Sequence, residues 1–88
     1  MTQERKIALV TGASRGIGAA IAQQLIQDGY FVVGTATSAA GAEKLSTVFA
    51  ENGAGALLDV RDGAAIDALV SDIEQKYGSV MILVNNAG

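Results

Sequence analysis

Four short runs of this chain are apolar from end to end: Ile7-Ala8-Leu9-Val10, Tyr30-Phe31-Val32-Val33, Ala56-Leu57-Leu58 and Val80-Met81-Ile82-Leu83-Val84. A strand with one wet face alternates apolar and polar residues. Runs without alternation read as strands buried on both faces, and such strands are usually parallel. Parallel neighbours cannot be joined by a hairpin; each pair needs a crossover, usually a helix. Helical stripes lie between the runs. Ile17, Ile21 and Leu25 recur every fourth residue with Ala22 beside them, and Ala42, Leu45, Val48 and Phe49 form a second stripe. Ile66, Leu69, Val70, Ile73 and Tyr77 form a third, with Asp67, Asp72, Glu74 and Lys76 outside it. Gly29, Gly53 and Gly78 each stand where a helix should stop, a position that favours glycine. The order β-α-β-α-β-α-β predicts an α/β fold: a parallel sheet between helical layers, one half of a doubly wound domain.

Length and composition narrow the chemistry. Eighty-eight residues make one small domain, and 50% hydrophobic content suits a packed core. The net charge of −3 and the lack of any basic run speak against a nucleic-acid or anionic-membrane surface. The chain has no Cys and no His. That removes disulfides, thiolate nucleophiles, cysteine–zinc sites, imidazole metal sites and triads built on histidine, so no metal site is expected. No apolar run approaches the roughly 20 residues of a membrane span. The polar start Met1-Thr2-Gln3-Glu4-Arg5-Lys6 has no signal-peptide core, so a cytoplasmic setting is expected.

The first strand runs into Thr11-Gly12-Ala13-Ser14-Arg15-Gly16-Ile17-Gly18, and the first helix opens inside this stretch. A parallel strand that turns tightly into a helix needs residues without a Cβ. The helix N-terminus then offers unpaired N–H groups and partial positive charge to an anion. Glycines also let backbone approach a pyrophosphate and let the helix pack on the sheet. The spacing G-x-x-x-G-x-G is neither the G-x-G-x-x-G dinucleotide fingerprint nor a P-loop. A purely structural strand–helix turn is the alternative to a ligand site.

Thr11-Gly12-x-x-x-Gly16-x-Gly18 resembles the cofactor motif of the short-chain dehydrogenase/reductase superfamily. Asn85-Asn86-Ala87-Gly88 resembles its second motif, at the end of the fourth strand, and Asp59-Val60 its adenine-contacting position. The resemblance covers essentially the whole chain. Within the superfamily, the stretches Val10–Gly18 and Gly34–Ser38 are most similar to bacterial 3-oxoacyl-[acyl-carrier-protein] reductases of fatty-acid synthesis. It implies a Rossmann-type N-terminal half with strand order 3-2-1-4 and three helices, residues 1–88 being a single dinucleotide-binding module. The cofactor-binding candidates that follow are Gly12, Ser14, Arg15, Gly16, Ile17, Gly18, Thr37, Asp59, Val60, Asn86, Ala87 and Gly88.

The cofactor can be read from charge. NAD sites usually carry Asp or Glu at the end of the second strand to hold the ribose 2′-OH. Here Gly34-Thr35-Ala36-Thr37-Ser38 offers no acid, so nothing repels a 2′-phosphate. Arg15 can pair with that phosphate and Thr37 can donate to it, which selects NADP(H). The similar reductases are likewise NADPH-dependent. The alternative reading of Arg15 is a solvated loop cation. Asp59 reads as an adenine acceptor or as a residue at the start of a helix, where Asp62 is better placed as the cap. The amides of Asn85 and Asn86 either reach a ribose or stitch the fourth strand to the glycine turn. Tyr30 and Tyr77 read as packing residues.

In the resembled family a Ser-Tyr-Lys set with a supporting Asn carries proton transfer, and all of it lies beyond the second motif. Tyr77-Gly78-Ser79-Val80 is not its Tyr-x-x-x-Lys pattern. The 88 residues alone are therefore expected to hold cofactor without reducing a ketone, no catalytic residue being present; the acyl-carrier-protein-linked substrate belongs to a full-length member. Relatives usually carry Asp where Met81 stands and often Pro where Gly63 stands. An isolated half-domain that binds nucleotide or self-assembles is the alternative function. Its fourth strand would be an uncharged edge suited to homo-oligomer formation.

Overall fold

A computed structural model describes residues 6–13, 16–59 and 61–86. Strand β1 (Lys6–Val10) leads to helix α1 (Gly16–Gln27), strand β2 (Tyr30–Ala36) and helix α2 (Ala39–Phe49). A short 3₁₀ turn (Ala50–Asn52) precedes strand β3 (Gly53–Leu57), helix α3 (Gly63–Lys76) and strand β4 (Val80–Val84). The four strands form one parallel sheet in the order β3-β2-β1-β4, as the sequence implied.

The sheet is a two-sided core. Ala8, Val10 and Val32 face Ala22 of α1 and Leu45 and Phe49 of α2. Ile7, Leu9, Phe31 and Val33 face Ile73, Leu69 and Val70 of α3. Alternate residues of β1 thus bury on opposite sides, which is why that strand reads as an unbroken apolar run. The outer strands are less covered. Met81 and Leu83 of β4 are 62% and 53% exposed, and Leu57 of β3 is exposed, so the expectation of burial on both faces holds for the two central strands only. Met81 falls at an irregularity of the β1–β4 pairing, where Ile7 pairs with Val80 and Ala8 with Ile82.

Two of the three glycine stops hold: Gly29 and Gly78 have φ of +95° and +131° just past α1 and α3. Gly53 does not. Helix α2 ends at Phe49, and Ala50 takes the positive φ (+51°) while its N–H donates to the Ser46 carbonyl. Gly53 is extended backbone that begins β3, so this strand starts three residues before the apolar run Ala56-Leu57-Leu58. A Cβ at Gly53 would run into the Val32 carbonyl of β2 and lie 2.8 Å from the Phe49 ring, so β3 needs a glycine there to pair with β2 and pack under α2. Leu58 is buried beyond the strand's end, its N–H donating to the Ala36 carbonyl at 3.0 Å. Tyr77 caps α3 and stacks on Phe31 with ring centroids 4.6 Å apart, the packing role read for it. No helix among the described residues is long and apolar enough to cross a membrane.

Candidate functional site: the glycine turn at the carboxyl edge

All four strands end at the same edge, and the helices on the two faces diverge between β1 and β4 because α1 and α2 lie on one side and α3 on the other. In open α/β sheets this switch point is where ligands bind. The glycine turn sits there, directly after β1.

Each motif glycine has its own cause. Gly12 and Gly16 have φ of +65° and +66°, a region that favours glycine. Gly18 is a close-approach position: a Cβ would lie 2.6 Å from Asn86 Nδ2 and 3.0 Å from the Gly12 carbonyl carbon. The turn is held from β2 by a residue that sequence reasoning passed over. Thr35 is buried; its Oγ1 accepts from the Gly12 N–H at 3.1 Å and its carbonyl accepts from the Ala13 N–H at 2.9 Å. The signal was a lone threonine in a central strand of apolar and aromatic residues.

From the other side the turn is held by β4. The Thr11 N–H donates to the Val84 carbonyl at 3.0 Å. The Thr11 hydroxyl accepts from the Asn86 N–H at 3.0 Å and lies 3.3 Å from both the Val84 carbonyl and Asn85 Oδ1, either of which takes its proton. Asn86 Nδ2 donates to the Gly12 carbonyl at 3.3 Å. Both asparagines thus stitch the fourth strand to the turn, one of the two roles read from sequence. Among the described residues the Gly12 and Ala13 N–H groups are paired to Thr35, and the first N–H groups of α1 are the ones that no carbonyl of the helix reaches. Ile17 lies in that first turn at 73% exposure, off the buried stripe where its spacing placed it.

Two further candidates lie along the same edge. Thr37 follows β2 and is exposed, and Ser38 after it caps α2 by accepting from the Gly41 N–H at 3.1 Å. Asp59 follows β3 and is exposed. Its Oδ1 accepts from the Arg61 N–H and from Arg61 Nε, both at 3.0 Å, and its Oδ2 from Arg61 Nη2 at 3.1 Å. These bonds hold the Asp59 carboxyl below its ordinary range and raise the Arg61 guanidinium. The cap of α3 is Asp62, which accepts from the Ala65 N–H at 3.2 Å. Ser14, Arg15, Val60, Ala87 and Gly88 lie outside the described residues. No acidic cluster able to hold a metal occurs among the described residues.

The profile of the family described as short chain dehydrogenase matches residues 6–88. The chain is 53% identical over 88 residues to the 3-oxoacyl-[acyl-carrier-protein] reductase FabG of Salmonella typhimurium, covering all of this chain and 36% of that protein. It is 53% identical to the FabG of Escherichia coli K12 over the same span, and 50% identical over 91 residues to that of Pseudomonas aeruginosa. The chain therefore spans little more than a third of the length of the curated relatives it matches. The fold, the strand order and the match along nearly the whole chain agree: this chain belongs to the short-chain dehydrogenase family.

Proposed function

We propose that this chain is the NADP(H)-binding portion of a reductase resembling 3-oxoacyl-[acyl-carrier-protein] reductase, acting in fatty-acid synthesis in the cytoplasm. The protein as a whole would reduce the ketone of an acyl-carrier-protein-linked substrate. The observation that carries the reading is the glycine turn: it is clamped by Thr35 and Thr11 at the carboxyl edge, beside β4, and leads into the N-terminus of α1. A pyrophosphate fits at Gly12, Gly16, Ile17 and Gly18, where the helix end supplies N–H groups and positive potential. Ser14 belongs to the same loop. Arg15 pairs with a 2′-phosphate, and Thr37, at the end of an acid-free β2, donates to it. Asp59 accepts from the adenine amino group, with Val60 against the base. Asn86 acts from the end of β4, ordering the turn as much as touching the ribose, and Ala87 and Gly88 belong to the same cofactor motif.

NADP(H), when bound, supplies a hydride. The described residues contribute binding and orientation, and the proton donor lies outside residues 1–88. NADPH oxidation with an acetoacetyl thioester tests this directly. The full natural polypeptide should show it and the 88-residue segment by itself should not; turnover by the segment would contradict the assignment.

A second reading concerns the segment alone. β4 has an unpaired edge of five uncharged residues, and Met81 and Leu83 are exposed beside it. On its own such an edge pairs with another chain, and a second copy joined antiparallel would extend the sheet to about eight strands.

A further inference from the structure

Asp59 and Arg61 form an exposed surface ion pair to which a backbone bond is added, so the restraint comes from the geometry of three bonds and not from burial. Three donors of one residue, the backbone N–H, Nε and Nη2, converge on a single carboxylate at 3.0 to 3.1 Å. The backbone bond fixes the spacing and the guanidinium fork fixes the plane, because a bidentate arginine–carboxylate pair has one favoured geometry. A carboxylate has about four acceptor positions. Oδ1 uses two and Oδ2 one, so among the described residues a single direction remains, on Oδ2.

We propose that Arg61 is a positioning residue that presents Asp59 as a fixed acceptor for a 6-amino purine and so sets the base selectivity of the site; this rests on the adenine role given to Asp59 above. A 6-oxo purine offers an acceptor where adenine offers its amino donor, and its own donor, N1–H, lies one ring position away. A free carboxylate swivels to reach that N1–H. One clamped by Arg61 does not, and meets the 6-oxo group acceptor to acceptor. Arg61 therefore acts by restraint, without touching the base.

The test compares NADP+ with its hypoxanthine (deamino) analogue, by equilibrium binding to the full natural polypeptide. The parent should prefer NADP+ about tenfold, the scale of one hydrogen bond to a charged group. Arg61→Gln should shrink that ratio several-fold while leaving the NADP+-over-NAD+ ratio unchanged. Among the described residues Arg61 is the charged partner of Asp59, since Asp62 is turned to the Ala65 N–H. Because the Arg61 bonds lower the pKa of the Asp59 carboxyl, the parent's base preference should persist to lower pH than that of the variant. Asp59→Ala separates the two claims. If it keeps the parent ratio, the adenine role of Asp59 falls, and the Arg61 proposal with it. If it abolishes the ratio while Arg61→Gln matches the parent in ratio and pH profile, the Arg61 proposal alone is overturned. Parallel loss of base and 2′-phosphate preference in Arg61→Gln would indicate general loosening and would overturn it too.

Discussion

Replacing Thr35 with valine removes one oxygen and leaves a methyl of similar size. The Oγ1 it deletes is the acceptor of the Gly12 N–H at 3.1 Å, whereas the Thr35 carbonyl that binds the Ala13 N–H is backbone and stays. Because Thr35 is 2% exposed, water cannot readily replace the lost acceptor. Leaving the part-buried Gly12 N–H without a partner costs at most about 1–3 kcal/mol, because the turn keeps its bonds to the Thr35 carbonyl and to β4. Against a typical total of about 5–15 kcal/mol for a folded domain, that loss is readily measured. Urea unfolding should show a lower midpoint at unchanged slope, which indicates lost stability without a change in exposed surface. NADPH affinity should fall as well, since one of the bonds that shape the turn before α1 would be lost. Thr35→Ser is the control: it keeps the oxygen and loses a methyl, at about 1 kcal/mol, and should bind NADPH close to the parent. Valine as stable and as tight-binding as the parent, with serine the weaker of the two, would show that Thr35 matters for packing and that the hydroxyl clamp is not what shapes the site.

The other expectations are separate from the turn. Gly63→Pro should stabilise the protein by about 0.4–1 kcal/mol in the same urea assay: Gly63 is the first residue of α3, a Cβ there meets nothing within 4 Å, and Asp62 before it is already extended (φ −103°, ψ 99°), as a residue before proline must be. Destabilisation would mean that the Gly63 N–H has a partner that matters. The 88-residue segment by itself should sediment as a dimer or larger species, and Leu83→Lys, at an exposed position of β4, should shift it toward monomer. A parent segment that is a folded monomer at micromolar concentration would place no interface on β4.

Where a residue's burial decided its identity, the sequence was a direct guide. β1 and β2 carry apolar side chains on both faces because helices cover both, and the stripe of α3 ends in Tyr77 because that ring stacks on Phe31. Reading failed where the backbone used an unexpected residue. Ala50 turns the chain at the end of α2, while Gly53, which looked like the stop, is a strand residue made small by the Val32 carbonyl and the Phe49 ring. Exposure of Met81 and Leu83 was legible only through the resemblance, which made β4 an edge: a run of five apolar residues by itself reads alike in a central strand and at an edge. In the site, the glycines were legible because positive φ and close approach demand them. Thr35 and Arg61 were not. Their roles depend on which oxygen a neighbouring strand or turn brings within reach, and spacing along the chain does not encode that.

The central claim is that the carboxyl edge of this sheet takes a dinucleotide bearing a 2′-phosphate. Fluorescence titration of the full natural polypeptide with NADPH and NADH, side by side at fixed ionic strength, tests it most directly. A charge-assisted contact from Arg15, with Thr37 and no acid between Val33 and Ala42, should favour NADPH by roughly tenfold to a hundredfold, or about 1.5–3 kcal/mol. Arg15→Ala should narrow that difference mainly by weakening NADPH. Equal affinities, or a preference for NADH, would contradict it.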